Sequence, residues 1–144
     1  EFNLKAKNIC NYLNGKLSDI KNKHPKKIQE IKGTGILNGI VFKSLTSDMS
    51  RLLEKIPVKL IKDKSFFLKK LTATVISCEL YEKHNILTAV NDSSDSQHLC
   101  VSPSLIVSNK EIDYFFSCLD QVLNAGENLR SLELIIDFIK SKIK

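Results

Sequence analysis

His98 and Cys100 stand two residues apart in the run Gln97-His98-Leu99-Cys100-Val101. On a strand that spacing turns both side chains to one face. A thiol beside an imidazole is a pair that nucleophilic catalysis uses, but nothing in the neighbouring sequence orients the imidazole, so simple packing is the competing reading. Gly33-Thr34-Gly35 with Gly39 has the look of a stretched dinucleotide fingerprint. That chemistry needs the loop to open a helix whose amides and dipole hold a pyrophosphate. Here Ile36-Leu37-Asn38-Gly39-Ile40-Val41-Phe42 continues as a β-rich run, which makes Gly33 and Gly35 turn residues instead. His24, His84 and His98 form no i, i+4 pair, and no carboxylate completes a metal set with them, so no metal site is expected. Asp92 and Asp95 lie in a serine-rich stretch that Asx turns explain.

The rest of the composition narrows the classes. The chain has 144 residues, 22 Lys+Arg against 16 Asp+Glu and a formal charge of +6. That length is one domain's worth, and 42% hydrophobic with 26% charged residues is ordinary for a globular fold. Cys10, Cys78, Cys100 and Cys118 are far apart with no CxxC pair, the pattern of reduced thiols in a cytoplasmic setting. No apolar run approaches the ~18–20 residues of a membrane span, and no secretory leader is expected at the N-terminus. Residues 1–70 carry 16 basic and 6 acidic side chains, residues 71–144 carry 6 and 10. A basic half suggests nucleic acid. However, only Arg51 and Arg130 are arginines, and base-edge and phosphate recognition favours the planar arginine fork. A lysine-rich solvated surface is the preferred reading, and nucleic acid is disfavoured as a partner.

Periodicity predicts the elements that must hold these residues. Leu4, Ile9, Leu13, Leu17 and Ile20 repeat at helical spacing over residues 3–22, and His24-Pro25 ends that helix. Residues 27–32 and 36–42 read as two strands about the glycine turn. Residues 44–65 are an irregular insert, with a short helix over 49–56 and an edge strand over 58–62. Residues 65–85 contain neither Gly nor Pro and read as a second long helix with Phe67, Leu68, Leu71, Val75, Cys78 and Tyr81 on its apolar side. Ile86–Val90 and His98–Val101 are predicted strands around a polar turn at 91–96. Ser108-Asn109-Lys110-Glu111 is a capping box. It opens a helix with Ile112, Phe115, Phe116, Leu119, Val122 and Leu123 inward and Gly126 as its stop. A last helix is expected over 129–143. The predicted class is α+β, a small, mostly antiparallel sheet with helices packed on one face.

Three blocks in this order resemble a known family. Glu30-Ile31-Lys32-Gly33-Thr34-Gly35-Ile36-Leu37-Asn38-Gly39-Ile40-Val41-Phe42-Lys43, preceded by His24-Pro25, is similar to a signature of the class III pyridoxal-phosphate-dependent aminotransferases. These are the ornithine, acetylornithine and putrescine aminotransferase-like group, in which an Arg-Gly-x-Gly turn links two strands. Asn85-Ile86-Leu87-Thr88 resembles the family's Gly-Val-Leu strand. Leu99-Cys100-Val101-Ser102-Pro103-Ser104-Leu105-Ile106-Val107-Ser108 resembles its Arg-x-x-Pro-Pro-Leu-x-Ile-Thr segment, and Glu111-Ile112-Asp113 its Glu-Glu-Ile-Asp helix start.

The resemblance implies the C-terminal small domain of a fold-type I enzyme over residues 1–126, with a variable insert at 44–65 and a helical extension at 127–144. It implies a wall of a substrate site at Cys100, Ser102 and Pro103, and a structural turn at Lys32, Gly33 and Gly35. Cys100 stands where the family sets a carboxylate-forking arginine, Lys32 where it sets the arginine of the glycine turn, and Ser104 replaces a proline. By the same resemblance the Schiff-base lysine and the other cofactor contacts belong to a large domain upstream in the same protein. Pyridoxal phosphate is therefore implied for a cytoplasmic, homodimeric full-length transferase. None is expected to be bound by this chain alone, and no catalytic residue is expected in it. A non-catalytic protein-interaction domain derived from the family, favoured by Cys100, Lys32 and the apolar residues of 129–143, stays open as the alternative.

Overall fold

The computed structural model describes residues 2–43, 64–92 and 97–125. The predicted elements at 49–56, 58–62 and 129–143, the stop at Gly126 and the tip of the 91–96 turn fall outside those residues. Helix α1 (Phe2–Lys23) leads into a hairpin of β1 (Ile28–Thr34) and β2 (Leu37–Phe42). Helix α2 (Lys64–His84) precedes a second hairpin, β3 (Ala89–Asp92) and β4 (Gln97–Val101), and α3 (Asn109–Ala125) follows. The four strands form one antiparallel sheet in the order β1-β2-β4-β3. The architecture is the α+β class expected from the sequence.

The register decides which residues share a face. Ile31 pairs with Ile40, Ile40 with Leu99 and Leu99 with Val90, so these four point one way, with Asn38 and Val101 beside them. The three helices pack on that side. α1 lies against β1 and α3, and α2 against β4, β3, β2 and α3. Ile9, Leu13, Leu17 and Ile20 of α1 meet Ile40, Leu99 and the α3 residues Ile112, Phe116 and Leu119 in one continuous core. Apolar burial of this kind contributes about 25 cal/mol per Å² and is what holds sheet and helices together.

Three sequence expectations are corrected. Leu4, placed with the α1 stripe, is 65% exposed; the buried row starts at Ile9. Over residues 71–84 the inner side of α2 is Thr72, Ala73, Val75, Ile76, Glu79 and Leu80, while Tyr81 is 57% exposed and Cys78 only half-buried; the side chains of Phe67 and Leu68 lie outside the described residues. The reason is that α2 is packed against both the sheet and α3, so it buries a broad arc and not a narrow apolar stripe. That arc takes in Glu79, whose carboxylate meets Lys83 Nζ at 2.6 Å one turn on. The third correction concerns β3, which begins at Ala89, three residues after the predicted start. Asn85 has φ 55°, a left-handed conformation that asparagine tolerates better than most residues. Its amide and that of Ile86 bond back to the carbonyls of Tyr81 and Leu80, which closes the helix end. Residues 86–88 are thereby spent on leaving the helix.

The capping box of α3 forms as read. Glu111 N donates to Ser108 Oγ at 3.3 Å, while Ser108 N and Oγ donate to Glu111 Oε2 at 2.8 and 2.7 Å. Caps of this type contribute about 1 kcal/mol.

Candidate functional site

The sheet face away from the helices carries the residues that the sequence singled out. Lys32 pairs with Gly39, Gly39 with Cys100 and Cys100 with Ala89, which makes a row across all four strands. Glu30, Val41, His98 and Asn91 make the next row. Cys100 and His98 thus share a face, as the period of two requires. The imidazole lies over Gly39: a Cβ built there would be 2.5 Å from His98 Cδ2. Among the described residues His98 Nδ1 is buried without a hydrogen-bond partner. Among the described residues no carboxylate is bonded to the ring, and they add no third member to the nucleophile reading. Lys32 Nζ sits 3.3 Å from Glu30 Oε1 on the same strand.

Two positive φ angles shape the β1–β2 turn, 108° at Gly33 and 62° at Gly35. Gly35 takes the first position of the two-residue loop between Thr34 and Leu37, where tight hairpins want positive φ. Gly33 is also crowded, because a Cβ there would fall 2.0 Å from the Leu37 carbonyl oxygen. Asn38 Nδ2 donates to the Gly35 carbonyl at 3.0 Å and ties the loop down.

Cys100, Ser102 and Pro103 come together at a cleft of about 340 Å³. Its floor is Leu13 of α1 with Ile112, Phe115 and Phe116 of α3, and its far wall is the 86–89 segment. Ser77 Oγ and Thr88 Oγ1, 2.8 Å apart, fix that wall to α2. Cys100 and Ser102 also border a shallower groove of about 210 Å³ with Lys32, Gly39 and His98. Leu87, at 84% exposure, and Ile106, at 80%, stand out as large apolar side chains facing outward on the segments that bound the cleft.

A set of polar ties that the sequence did not reveal holds α1 to α3 beneath the cleft. Asp113 Oδ1 accepts from Tyr12 Oη at 2.7 Å and meets Lys16 Nζ at 2.6 Å. Two turns further on, Asp120 meets Lys23 Nζ at 2.8 Å and His24 Nε2 at 2.7 Å, and Lys27 Nζ donates to the Leu123 carbonyl. His24, 7% exposed, is therefore a buried anchor as well as the residue before the helix-ending proline. No pattern within α3 alone could have shown this, since the partners are about a hundred residues away.

These contacts set a pH dependence. The Lys23 ammonium and then the His24 ring hold the Asp120 carboxyl below its ordinary range; Lys16 and Tyr12 do the same to Asp113. A carboxyl depressed in the fold adds stability above its unfolded value, about 3.9, and that stability is lost as pH falls through the folded value. Asp120→Asn should therefore lower stability at pH 7 by roughly 1–2 kcal/mol. It should also flatten the loss of stability below about pH 4. Urea unfolding of both proteins from pH 7 to pH 2.5 checks it, and parallel curves would count against the Asp120 tie.

Pyridoxal phosphate needs a lysine and an acidic partner converging in one site. None of the three cavities lined by described residues offers that. The cleft contains no lysine, Lys21 and Lys32 border separate grooves, and neither groove contains an aspartate. The described residues do not form the cofactor's seat, and no step through it is derived from them. No group of three or more His, Cys, Asp or Glu among them could hold a metal ion, and no described helix is long and apolar enough to cross a membrane.

The geometry is that of an α+β small domain whose described helices pack on one face of the sheet, with a cleft at the end of β4. No family model matches the sequence, and no curated protein does. Solved transaminases do match in structure. An S-selective transaminase from Arthrobacter sp. aligns with a TM-score of 0.55 at 27% identity, over 85% of this chain and 25% of its own. A transaminase from the marine bacterium Virgibacillus aligns at 0.58 and 14% identity, over 91% and 25%. Acetylornithine aminotransferase from Elizabethkingia anophelis aligns at 0.54 and 15%, over 83% and 23%. The chain has the fold of one portion of the transaminases and spans about a quarter of the length of those it matches. The likeness in structure is to transaminases, at the coarse level that the three sequence blocks also suggest.

Proposed function

We propose that this chain is the substrate-capping C-terminal small domain of a class III pyridoxal-phosphate-dependent aminotransferase. The observation that carries the reading is the joint match. The fold agrees with a quarter of a transaminase chain, and Cys100, Ser102 and Pro103, identified from a family segment, line one cleft. The cofactor, bound by a large domain upstream in the same protein, supplies the electron sink for amino transfer. The residues of this chain would wall the substrate on one side and exclude water, with Lys32, Gly33 and Gly35 fixing the hairpin behind them. The chain alone transfers no amino group, and the assembled enzyme is a cytoplasmic homodimer.

The reading frame upstream of Glu1 supplies the test. It should encode a lysine-bearing cofactor domain, and the protein expressed from it should bind pyridoxal phosphate and exchange amino groups, whereas the 144-residue chain should do neither. A frame without that domain ends the enzyme reading. A second reading is favoured by Cys100 and Lys32, which replace the two arginines of the family pattern. On it the domain is a non-catalytic interaction module, and the long protein would then bind partners yet show no amino exchange.

A further inference from the structure

We propose that the groove between α1 and the β1–β2 turn binds a phosphorylated polyol of the pentose phosphate class. The groove holds about 380 Å³, room for a small organic molecule, and shares no lining residue with the cleft at the end of β4. Asn14, Leu17, Ser18 and Lys21 follow one another at helical spacing and form its α1 wall. Across from them stand Ile31, Asn38 and the turn residues 33–35. The strand register agrees, since it sets Ile31 and Asn38 on the sheet side that the helices cover. Leu17 and Ile31 supply the apolar part of the lining, and the rest is glycine or polar. Gly35 faces α1, where an added Cβ would come 3.9 Å from Cys10 Sγ, so the bare glycine keeps that gap free of a side chain.

The polar groups of the groove are uncommitted and of complementary kinds. Lys21 is the one charged residue in the lining, and it makes no hydrogen bond or ion pair among the described residues. Lys16 and Lys23 of the same helix, by contrast, are engaged by Asp113 and Asp120. Asp19, two positions before Lys21, lies on another side of α1, and Glu30 is on the far face of the sheet. An anion therefore meets an ammonium with no carboxylate competing for it. Lysine suits phosphate as a point charge and lacks the planar fork that matches a carboxylate. Ser18 and Asn14, about one and two turns before Lys21, add a hydroxyl and an amide on the same wall. Asn38 calls for the hydroxylated body. Its side chain is 7% exposed, Nδ2 donates to the Gly35 carbonyl, and Oδ1 accepts no hydrogen bond among the described residues. An acceptor so placed wants an O–H donor, which the hydroxyls of a polyol supply. Binding here does not depend on the transaminase reading, since every group involved belongs to this chain.

Amide NMR of the 144-residue chain, titrated with ribose 5-phosphate, ribose and inorganic phosphate, tests it. Ribose 5-phosphate should give saturable shifts at Asn14, Ser18, Lys21, Gly35 and Asn38, with a dissociation constant of about 1 mM, ordinary for a ligand of that size. Ribose and inorganic phosphate should each bind roughly tenfold more weakly or not at all. Lys21→Met removes the charge from an exposed helix position; it should weaken ribose 5-phosphate roughly fivefold and leave ribose unchanged. Ser18→Phe, which fills the groove from an exposed position on the same wall, should abolish the shifts. Ribose or phosphate binding as tightly as ribose 5-phosphate, shifts centred elsewhere, no shifts at all, or full affinity in Lys21→Met would each overturn the proposal. The absence of a cofactor domain upstream would end the transaminase reading and leave this binding standing, whereas amino exchange without selective binding of ribose 5-phosphate would do the reverse.

Discussion

Gly33→Ala should cost this fold roughly 3 kcal/mol or more, a large share of the ~7–20 kcal/mol expected for a domain of this length. Two effects combine. A φ of 108° lies outside what an L side chain adopts readily, and the new methyl would meet the Leu37 carbonyl oxygen at 2.0 Å and the Asn38 Cα at 2.9 Å. Both obstacles are backbone atoms, so relief requires parting the Gly33–Asn38 end of the hairpin. Gly35→Ala is the natural control. Its φ is also positive, but the nearest atom to an added Cβ is Cys10 Sγ at 3.9 Å, so about 1–2 kcal/mol is expected from conformation alone. Urea midpoints of the two variants should fall in that order, and equal losses would refute the steric account.

Leu99→Ala is expected to destabilise by about 2–5 kcal/mol. Leu99 is fully buried, sits on β4 between Ile40 and Val90, and faces the core on which α2 packs. Its neighbours are pinned by ladders on both sides, so the space left by the missing carbons cannot close easily. Leu37, 66% exposed at the hairpin end, gives the contrast, with Leu37→Ala staying within about 0.5 kcal/mol. Thermal or denaturant unfolding decides it; a Leu99→Ala loss below 1 kcal/mol would mean that the β4 face is not the centre of the core.

Much of this was readable residue by residue because the signals are local. The α1 repeat, the glycine turn and the Ser108–Glu111 box each specify their geometry within a few positions. The inward side of α2 was not readable, because Glu79 is buried with a lysine partner and the helix is covered on two sides. The start of β3 was not readable because residues 86–88 are spent on leaving the helix past the left-handed Asn85, although Ile86 and Leu87 are residue types that strands also use. At the candidate site, the sequence brought forward Cys100, Ser102 and Pro103, which do share a cleft. It gave no hint that Gly39 makes the bed for the His98 ring, because that depends on the pairing of β2 with β4. Nor could it show that Asp113 and Asp120 tie α3 to α1.

The β2–β4 ladder has a kinetic consequence. Each hairpin closes through a short loop, but the middle of the sheet joins Ile40 to Leu99 across α2 and everything before it. Contacts so distant along the chain make a domain fold slowly relative to helical bundles, and the two hairpins should form before they zip together. Closing a flexible loop costs only about 0.6 kcal/mol more for each doubling of its length. Lengthening the stretch between β2 and α2 would therefore slow this last step only modestly, which makes it the place where related chains can differ most in length without changing the sheet.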